Sequence, residues 1–468
     1  QKNSSNTAMK KFTKILLMIL ILNLLSCSKE SNIDILITDA TIVTMNEDSA
    51  IFDPGYIAIR NHKIIALGSM SDLKLKNFNP KIQKEASGKI LLPGLINGHT
   101  HLAMTLLRGI GDDLNLNEWL EKFIFPIEGK FLDKEYVAIG TRLGLAEMIR
   151  GGITTFADMY YYEDIVAEET EKSGMRAILG ETLLDFPAPD HKNWKDAIQY
   201  SVQFLEKWKE NPRITPALAP HAIYTVGEAH LKEVVYISKK FNSPVLTHLA
   251  EASTETSYSL SKFKKRPIAY LDSIGFLNDR LIAAHAVQIN EDEINLLLKK
   301  RAGIIHCPQS NMKLTSGVAP VPKMIDKGIL LGIGTDGAAS NNDLNLWEEI
   351  DTAAKLHKLF TNNPTILPAK QALELATIRG AAALHMENKI GSLKVGKYAD
   401  LIMIERSKPH QTPIYNFYSY LVYANKASDV TDVMIHGKWV MENKKILTLD
   451  EQKVILDAQN FHKKIQKF

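Results

Sequence analysis

Four places along the chain put polar, chemistry-bearing residues directly after an apolar, strand-like run: His99-Thr100-His101, His248, His285 and Asp336. In an extended segment alternate residues face the same side, so His99 and His101 can present two imidazoles to one ion. The chain holds two cysteines, Cys27 and Cys307, and no CxxC spacing, which excludes both a disulfide framework and a thiolate metal site. Any metal therefore rests on histidine and carboxylate. Cys307 follows Gly303-Ile304-Ile305 and reads as a small buried hydrophobe with no chemistry.

Residues so far apart in sequence need elements that bring them together. From Ile33 to about Leu92 the pattern is short and β-like, with Ile35-Leu36-Ile37, Thr41–Thr44, Tyr56–Ile59 and Lys63–Leu67 separated by Asp-Pro-Gly and Asn-His turn signals. After Pro93-Gly94, apolar runs alternate with longer helical patterns. The runs are Leu91–Ile96, Gly152–Phe156, Ile178-Leu179, Ile214–Leu218, Pro244–Thr247, Leu281–Ala284, Ala302–Ile305 and Ile329–Ile333, and eight is the number a closed (β/α)8 barrel needs. In such a barrel the chemistry sits at the carboxyl ends of the strands, and the four polar places end the first, fifth, sixth and eighth runs. All would converge on one barrel mouth. Short strands return at Leu401–Ile404 and Val433–Val440 and are expected to complete the first sheet. The expected fold is α/β: a TIM-like barrel over residues 93–388, a small β-sandwich domain built from residues 33–92 and 389–447, and a C-terminal helix over 448–468.

On these motifs the chain resembles the amidohydrolase superfamily. Pro93-Gly94-Leu95-Ile96-Asn97-Gly98-His99-Thr100-His101 resembles its opening signature, Gly334-Thr335-Asp336-Gly337 its closing one, and Gly391–Leu401 its return into the small β domain. The resemblance implies one divalent ion, zinc or in some relatives iron, held by His99, His101, His248 and Asp336. Neutral imidazoles with one carboxylate suit a borderline ion and leave a position open for water. Many members hold two metals bridged by a carboxylated lysine after the fourth strand; here that strand ends Leu218-Ala219-Pro220-His221, without lysine, so a single ion is expected.

The resemblance also implies chemistry. Asp336 and His285 would take the proton of an attacking water, and Glu251, in His248-Leu249-Ala250-Glu251, would pass protons to a ring nitrogen and then to the leaving amine. The similarity is nearest to the branch of S-adenosylhomocysteine and 5′-methylthioadenosine deaminases, with triazine hydrolases as near relatives. It is carried by Ser310–Leu314, Gly317–Val321, Thr335–Asn342 and Asn117-Glu118-Trp119-Leu120 ahead of Pro126-Ile127-Glu128. That branch implies that Trp119 lines a nucleoside pocket, Glu128 receives the ribose hydroxyls and His221 contacts the purine. The segment Glu181–Asp190 lacks the arginine that relatives offer to the homocysteine carboxylate, which favours adenosine, 5′-deoxyadenosine or methylthioadenosine over S-adenosylhomocysteine. Arg108 could take its place. Two other readings stand beside this one: a guanine, pterin or triazine amino- or chlorohydrolase on the same scaffold, and a lipid-anchored binding protein without catalysis.

Composition narrows the partners. The chain has 468 residues, 45% apolar and 23% charged, with a net charge of +3, as in an ordinary globular protein. No long basic block follows the first fifteen residues, so nucleic acid is not the expected partner and a small nucleoside or aminopurine is. A homo-oligomer is compatible with this composition. At the amino terminus, Gln1–Ala8 read as upstream residues, and Lys10, Lys11 and Lys14 ahead of Ile15–Leu22 form a charged and then an apolar region. Leu24-Leu25-Ser26-Cys27 resembles a bacterial lipobox, so residues 1–27 are expected to be a lipoprotein signal with Cys27 lipidated, and 28–32 a polar tether. The expected location is the cell envelope on the periplasmic side, with Ser28 pointing to the outer membrane; the alternative is cytoplasmic.

Overall fold

The computed structural model describes residues 31–114 and 116–466, so the amino-terminal segment with Cys27 lies outside the described residues. Five strands come first: β1 Ser31–Val43, β2 Ile51–Arg60, β3 Lys63–Ser69, β4 Phe78–Glu85 and β5 Lys89–Pro93. Eight more follow: β6 Leu95–Thr100, β7 Ile153–Tyr160, β8 Arg176–Leu183, β9 Ile214–Pro220, β10 Val245–Leu249, β11 Leu281–His285, β12 Gly303–His306 and β13 Leu330–Ile333. These eight pair in parallel and in chain order from β6 to β13. They are buried on both faces, which is why they read in sequence as continuous apolar runs. Ile96, Ala157, Ile178, Ala217, Leu246 and Ile305 pack against one another, while intervening residues such as Phe156, Leu179, Leu218 and Ala283 pack against the surrounding helices.

The barrel closes where β6 meets β13. The Asn97 amide donates to Thr335 Oγ1 at 2.8 Å and its carbonyl oxygen accepts from Thr335 N at 3.0 Å, while Asp336 N donates to the His99 carbonyl at 3.0 Å. A Cβ at Gly334 would stand 2.7 Å from His99 N, so this approach requires glycine.

The remaining strands, β14 Leu401–Glu405, β15 Val430–Ile435, β16 Lys438–Glu442 and β17 Lys445–Ile446, join the first five in one nine-stranded mixed sheet. The order is β17-β16-β15-β14-β5-β1-β2-β3, with β4 beside β1. At the seam with the barrel, the buried Arg176 guanidinium takes Asp400 with two nitrogens, at 2.8 and 3.3 Å, and Gly94 N donates to the Asp400 carbonyl.

Three details differ from the sequence expectation. Leu91 and Leu92 belong to β5 of the flanking sheet, and the first barrel strand begins at Leu95, because Pro93-Gly94 ends one strand and the next starts at once. The runs at Ile35–Ile37 and Thr41–Thr44 are one strand, whose pairing with β2 shifts register between Ile37 and Ala40. The strand β4 was not expected: it is a largely exposed edge strand whose short alternation of Phe78, Pro80 and Ile82 with polar residues is broken by a proline. The final helix spans Glu451–Ile465. No helix among the described residues is long and apolar enough to cross a membrane.

Candidate active site

The strand ends meet at the barrel mouth. His99 comes from β6 and His101 from the residue after it, His248 from β10, His285 from the last residue of β11, and Asp336 from the turn after β13. His101 Nε2 lies 3.1 Å from His248 Nε2 and 3.3 Å from Asp336 Oδ1, and His99 Nε2 lies 3.4 Å from the same oxygen. The tautomers are set from behind: Nδ1 of His101 faces the Met159 carbonyl at 2.6 Å and Nδ1 of His248 faces the His221 carbonyl at 3.0 Å. Carbonyls only accept, so both Nδ1 atoms carry protons, and in the neutral rings the two Nε2 lone pairs face one another with no proton between them. His99 Nε2 is buried without a hydrogen-bond partner. Burial lowers the His99 imidazole to about 4 and His248 well below its ordinary value, which keeps both rings neutral. Burial would raise Asp336, but the adjacent His99 and the other histidines around it hold it well below the usual carboxylate range. Three neutral nitrogens and one carboxylate fit a divalent ion, since tetrahedral ligands at about 2.0–2.1 Å stand about 3.3 Å apart.

Asp336 and His285 both adopt left-handed backbone, with φ of 63° and 76°, conformations that are rare away from glycine and cluster at functional sites. They persist because both side chains are pinned. Ser310 Oγ donates to Asp336 Oδ2 and Gly337 N to Asp336 Oδ1, while His285 Nδ1 faces Asn311 Oδ1 at 3.0 Å. The buried Glu349 carboxylate ties the short helix Pro308–Lys313, which carries Ser310 and Asn311, through Gln309 N to Asn341 beyond Asp336. His285 Nε2 points at Glu251 Oε2, 3.7 Å away. Burial works against charge on His285, yet Glu251 and Asp336 outweigh it and raise the imidazole. Burial raises Glu251, with His285 offsetting part of the shift.

Over these groups opens a cleft of about 680 Å³ lined by His101, His221, His248, Glu251, His285 and Asp336 at its floor and by Trp119 and Glu128 on one wall. His99 lies beneath it. The wall is a helical excursion between β6 and β7: a turn over Leu116–Trp119, a wider turn over Leu120–Ile124, and a helix over Phe125–Phe131 begun by Pro126. Trp119 Nε1 donates to the Ile110 carbonyl at 3.3 Å, which anchors the indole. Glu128 is buried, and burial lifts its carboxyl to about 7 against the hydrogen bond that the Tyr160 hydroxyl donates to it. His221 follows β9, its ring 4.7 Å from that of His248 and its Nδ1 3.1 Å from Thr225 Oγ1; burial lowers it to about 3.

Sequence reasoning did not single out Tyr160, Tyr161 and Tyr224 in the lining, although Tyr160 ends β7 just as the selected histidines end their strands. Arg108 does not line the cleft. Its guanidinium is taken by Glu147 and the Asn342 carbonyl, so it does not stand in for the missing arginine. Cys307 is buried and free, as expected. His306, which ends β12, faces His357 and is not part of the cleft.

Comparison with known proteins gives the same frame. A 5-methylthioadenosine/S-adenosylhomocysteine deaminase of Syntrophobacter fumaroxidans is 45% identical over 425 residues, covering 91% of this chain and 97% of that one. A 5′-deoxyadenosine deaminase of Methanosarcina acetivorans is 41% identical over 428 residues, covering 91% and 97%. The crystal structure of an adenosine deaminase from Xanthomonas campestris with bound zinc superposes with a TM-score of 0.92 at 36% identity, covering 94% of this chain and all of that one. The model of the Amidohydrolase family matches residues 90–440. Barrel, strand-end geometry and these matches agree: the chain belongs to the amidohydrolase family.

Proposed function

We propose that the protein is a metal-dependent hydrolytic deaminase that converts the 6-amino group of an adenosine-type nucleoside to the inosine-type product and ammonia. The observation that carries this reading is the cleft itself, in which the imidazole and carboxylate floor faces a wall holding Trp119 and a buried Glu128. The names of the relatives point the same way.

In this reading one ion, zinc by its donor set, is held by His99, His101, His248 and Asp336. When bound it supplies a water activated for attack on the ring carbon. Glu251, whose carboxyl is raised by burial above its ordinary value, would carry the water's first proton to the adjacent ring nitrogen, and Asp336 and His285 would draw off the second, which returns through Glu251 to the departing amine. Trp119 and Glu128 hold the nucleoside and His221 meets the purine. The described lining contains no lysine or arginine, and its charged side chains beside the histidines are Glu128, Glu251 and Asp336. Leu116, Leu120, Ile124 and Phe125 make the wall apolar. The carboxylate of an amino-acid 5′ substituent finds no cationic partner in this lining, so methylthioadenosine, 5′-deoxyadenosine and adenosine are favoured over S-adenosylhomocysteine.

Ammonia release by the zinc-loaded protein tests this across those four nucleosides, adenine, guanine and a triazine. Release from nucleosides with uncharged 5′ groups is expected; release only from free bases or the triazine would overturn the reading. At the amino terminus, the lipobox-like sequence supports lipidation of Cys27 and an envelope location. Labelling with a fatty-acid analogue should mark the wild type and not Cys27→Ser, and label on both or on neither rejects the anchor.

A further inference from the structure

Glu251 leaves its strand through a strained turn. Ala250, between the end of β10 and Glu251, has a φ of 49°, and this left-handed step sends the chain back so that the Glu251 side chain lines the cleft. The Ala250 carbonyl accepts from Val287 N at 3.0 Å and Gln288 N at 2.8 Å, beyond the end of β11. The amide protons of the turn go to one side chain, that of Glu255. Ala250 N donates to Glu255 Oε1 at 2.9 Å and Glu251 N donates to Glu255 Oε2 at 3.0 Å.

Glu255 stands in the first turn of the helix Ser253–Phe263, whose N-cap, Ala252, offers no side-chain oxygen. Its carboxylate does not serve the helix; it reaches back past the cap to the two residues ahead of it. The side chain is buried at 3% exposure, and burial lifts its carboxyl to about 7 against the pull of the two amide bonds. A carboxylate suits the position because two N–H donors converge on it and both its oxygens accept. A glutamine there would turn an NH2 group towards one of the donors, and an aspartate would fall short of both.

We infer that Glu255 is a positioning residue for the reaction, the clamp that fixes the Ala250-Glu251 turn and thereby the place of the Glu251 carboxyl opposite His285. It touches neither substrate nor ion and acts through Glu251; the inference rests on the proton-transfer role proposed for Glu251. A displacement of the order of 1 Å in a reacting group costs about 10²-fold in rate, so loss of the clamp should lower kcat without altering substrate binding or metal content.

The test is a double-mutant cycle on the zinc-loaded full chain. Glu255→Gln alone should lower kcat by about 10- to 100-fold with KM and metal per chain unchanged. In a Glu251→Gln background the same substitution should change kcat by less than about twofold, because the group it positions has already lost its function. Should Glu255→Gln fail to fold, Glu255→Asp keeps the charge, shortens the reach and carries the same expectation. An equal loss in both backgrounds, a loss that tracks metal or KM, or no loss at all overturns the inference. If instead Glu251→Gln alone retains normal kcat, the proton-transfer role of Glu251 is what has failed, and Glu255 is then an anchor for the loop and nothing more.

Discussion

The floor and the wall of the cleft are built on different principles. The floor comes from strand ends locked into a closed barrel, and its polar groups are held from behind: His101 by the Met159 carbonyl, His248 by that of His221, His285 by Asn311 and Asp336 by Ser310 and Gly337. The wall comes from the excursion over Leu116–Phe131, is mostly apolar, and holds one carboxylate tied to one phenol. A floor this constrained fixes what reaction is run, and a wall of this kind can change which molecule is presented to it without disturbing the chemistry.

Substitutions that separate the two regions test this division. The largest effect belongs to Asp336→Asn, expected to lose metal and turnover together, measured as metal per chain and ammonia release; retention of both would break the assignment of the floor. Next, Glu251→Gln should keep its full metal content and lose about 10²–10⁴-fold in kcat, the range of general acid–base catalysis. Glu128→Ala should lower kcat/KM for nucleosides by about 10- to 100-fold, as for a hydrogen bond to a charged group, and leave adenine unaffected. An equal loss with adenine would mean that the wall reaches into the chemistry. The smallest effect is one of pH. Glu128 titrates at about 7, is ionised above that value and then accepts from two hydroxyls, and is protonated below it. The KM for nucleosides should therefore rise as the pH falls through 7, whereas that for adenine should not follow.

The candidate metal site was legible in the sequence because its polar groups follow apolar runs whose length and spacing reveal barrel strands. His99, His101, His248, His285 and Asp336 could be gathered on that ground alone. The groups behind them were not legible in the same way. Glu255 follows Glu251 by four residues, a spacing that equally describes two solvated glutamates on a helix, and only the left-handed turn at Ala250 brings its carboxylate onto the backbone ahead of the helix. Glu349, in the helix Leu346–Phe360, reaches Gln309 and Asn341 in two other short helices. In the flanking sheet, β4 escaped because Pro80 interrupts its short alternating run and its remaining residues are mostly polar and exposed. Arg108 has the right charge, but Glu147 and Asn342 hold it away from the cleft.

The closure of the barrel also sets a schedule. Asn97 and Thr335, which join the first barrel strand to the last, are 238 residues apart, and the donors of the candidate metal site are spread over almost the same span. A ribosome releasing this chain would have exposed His99 and His101 long before it made Asp336. With His99, His101, His248 and Asp336 as the proposed donors, the complete set exists only after the last strand has been made and docked, which would place full metal coordination late in the folding of the protein.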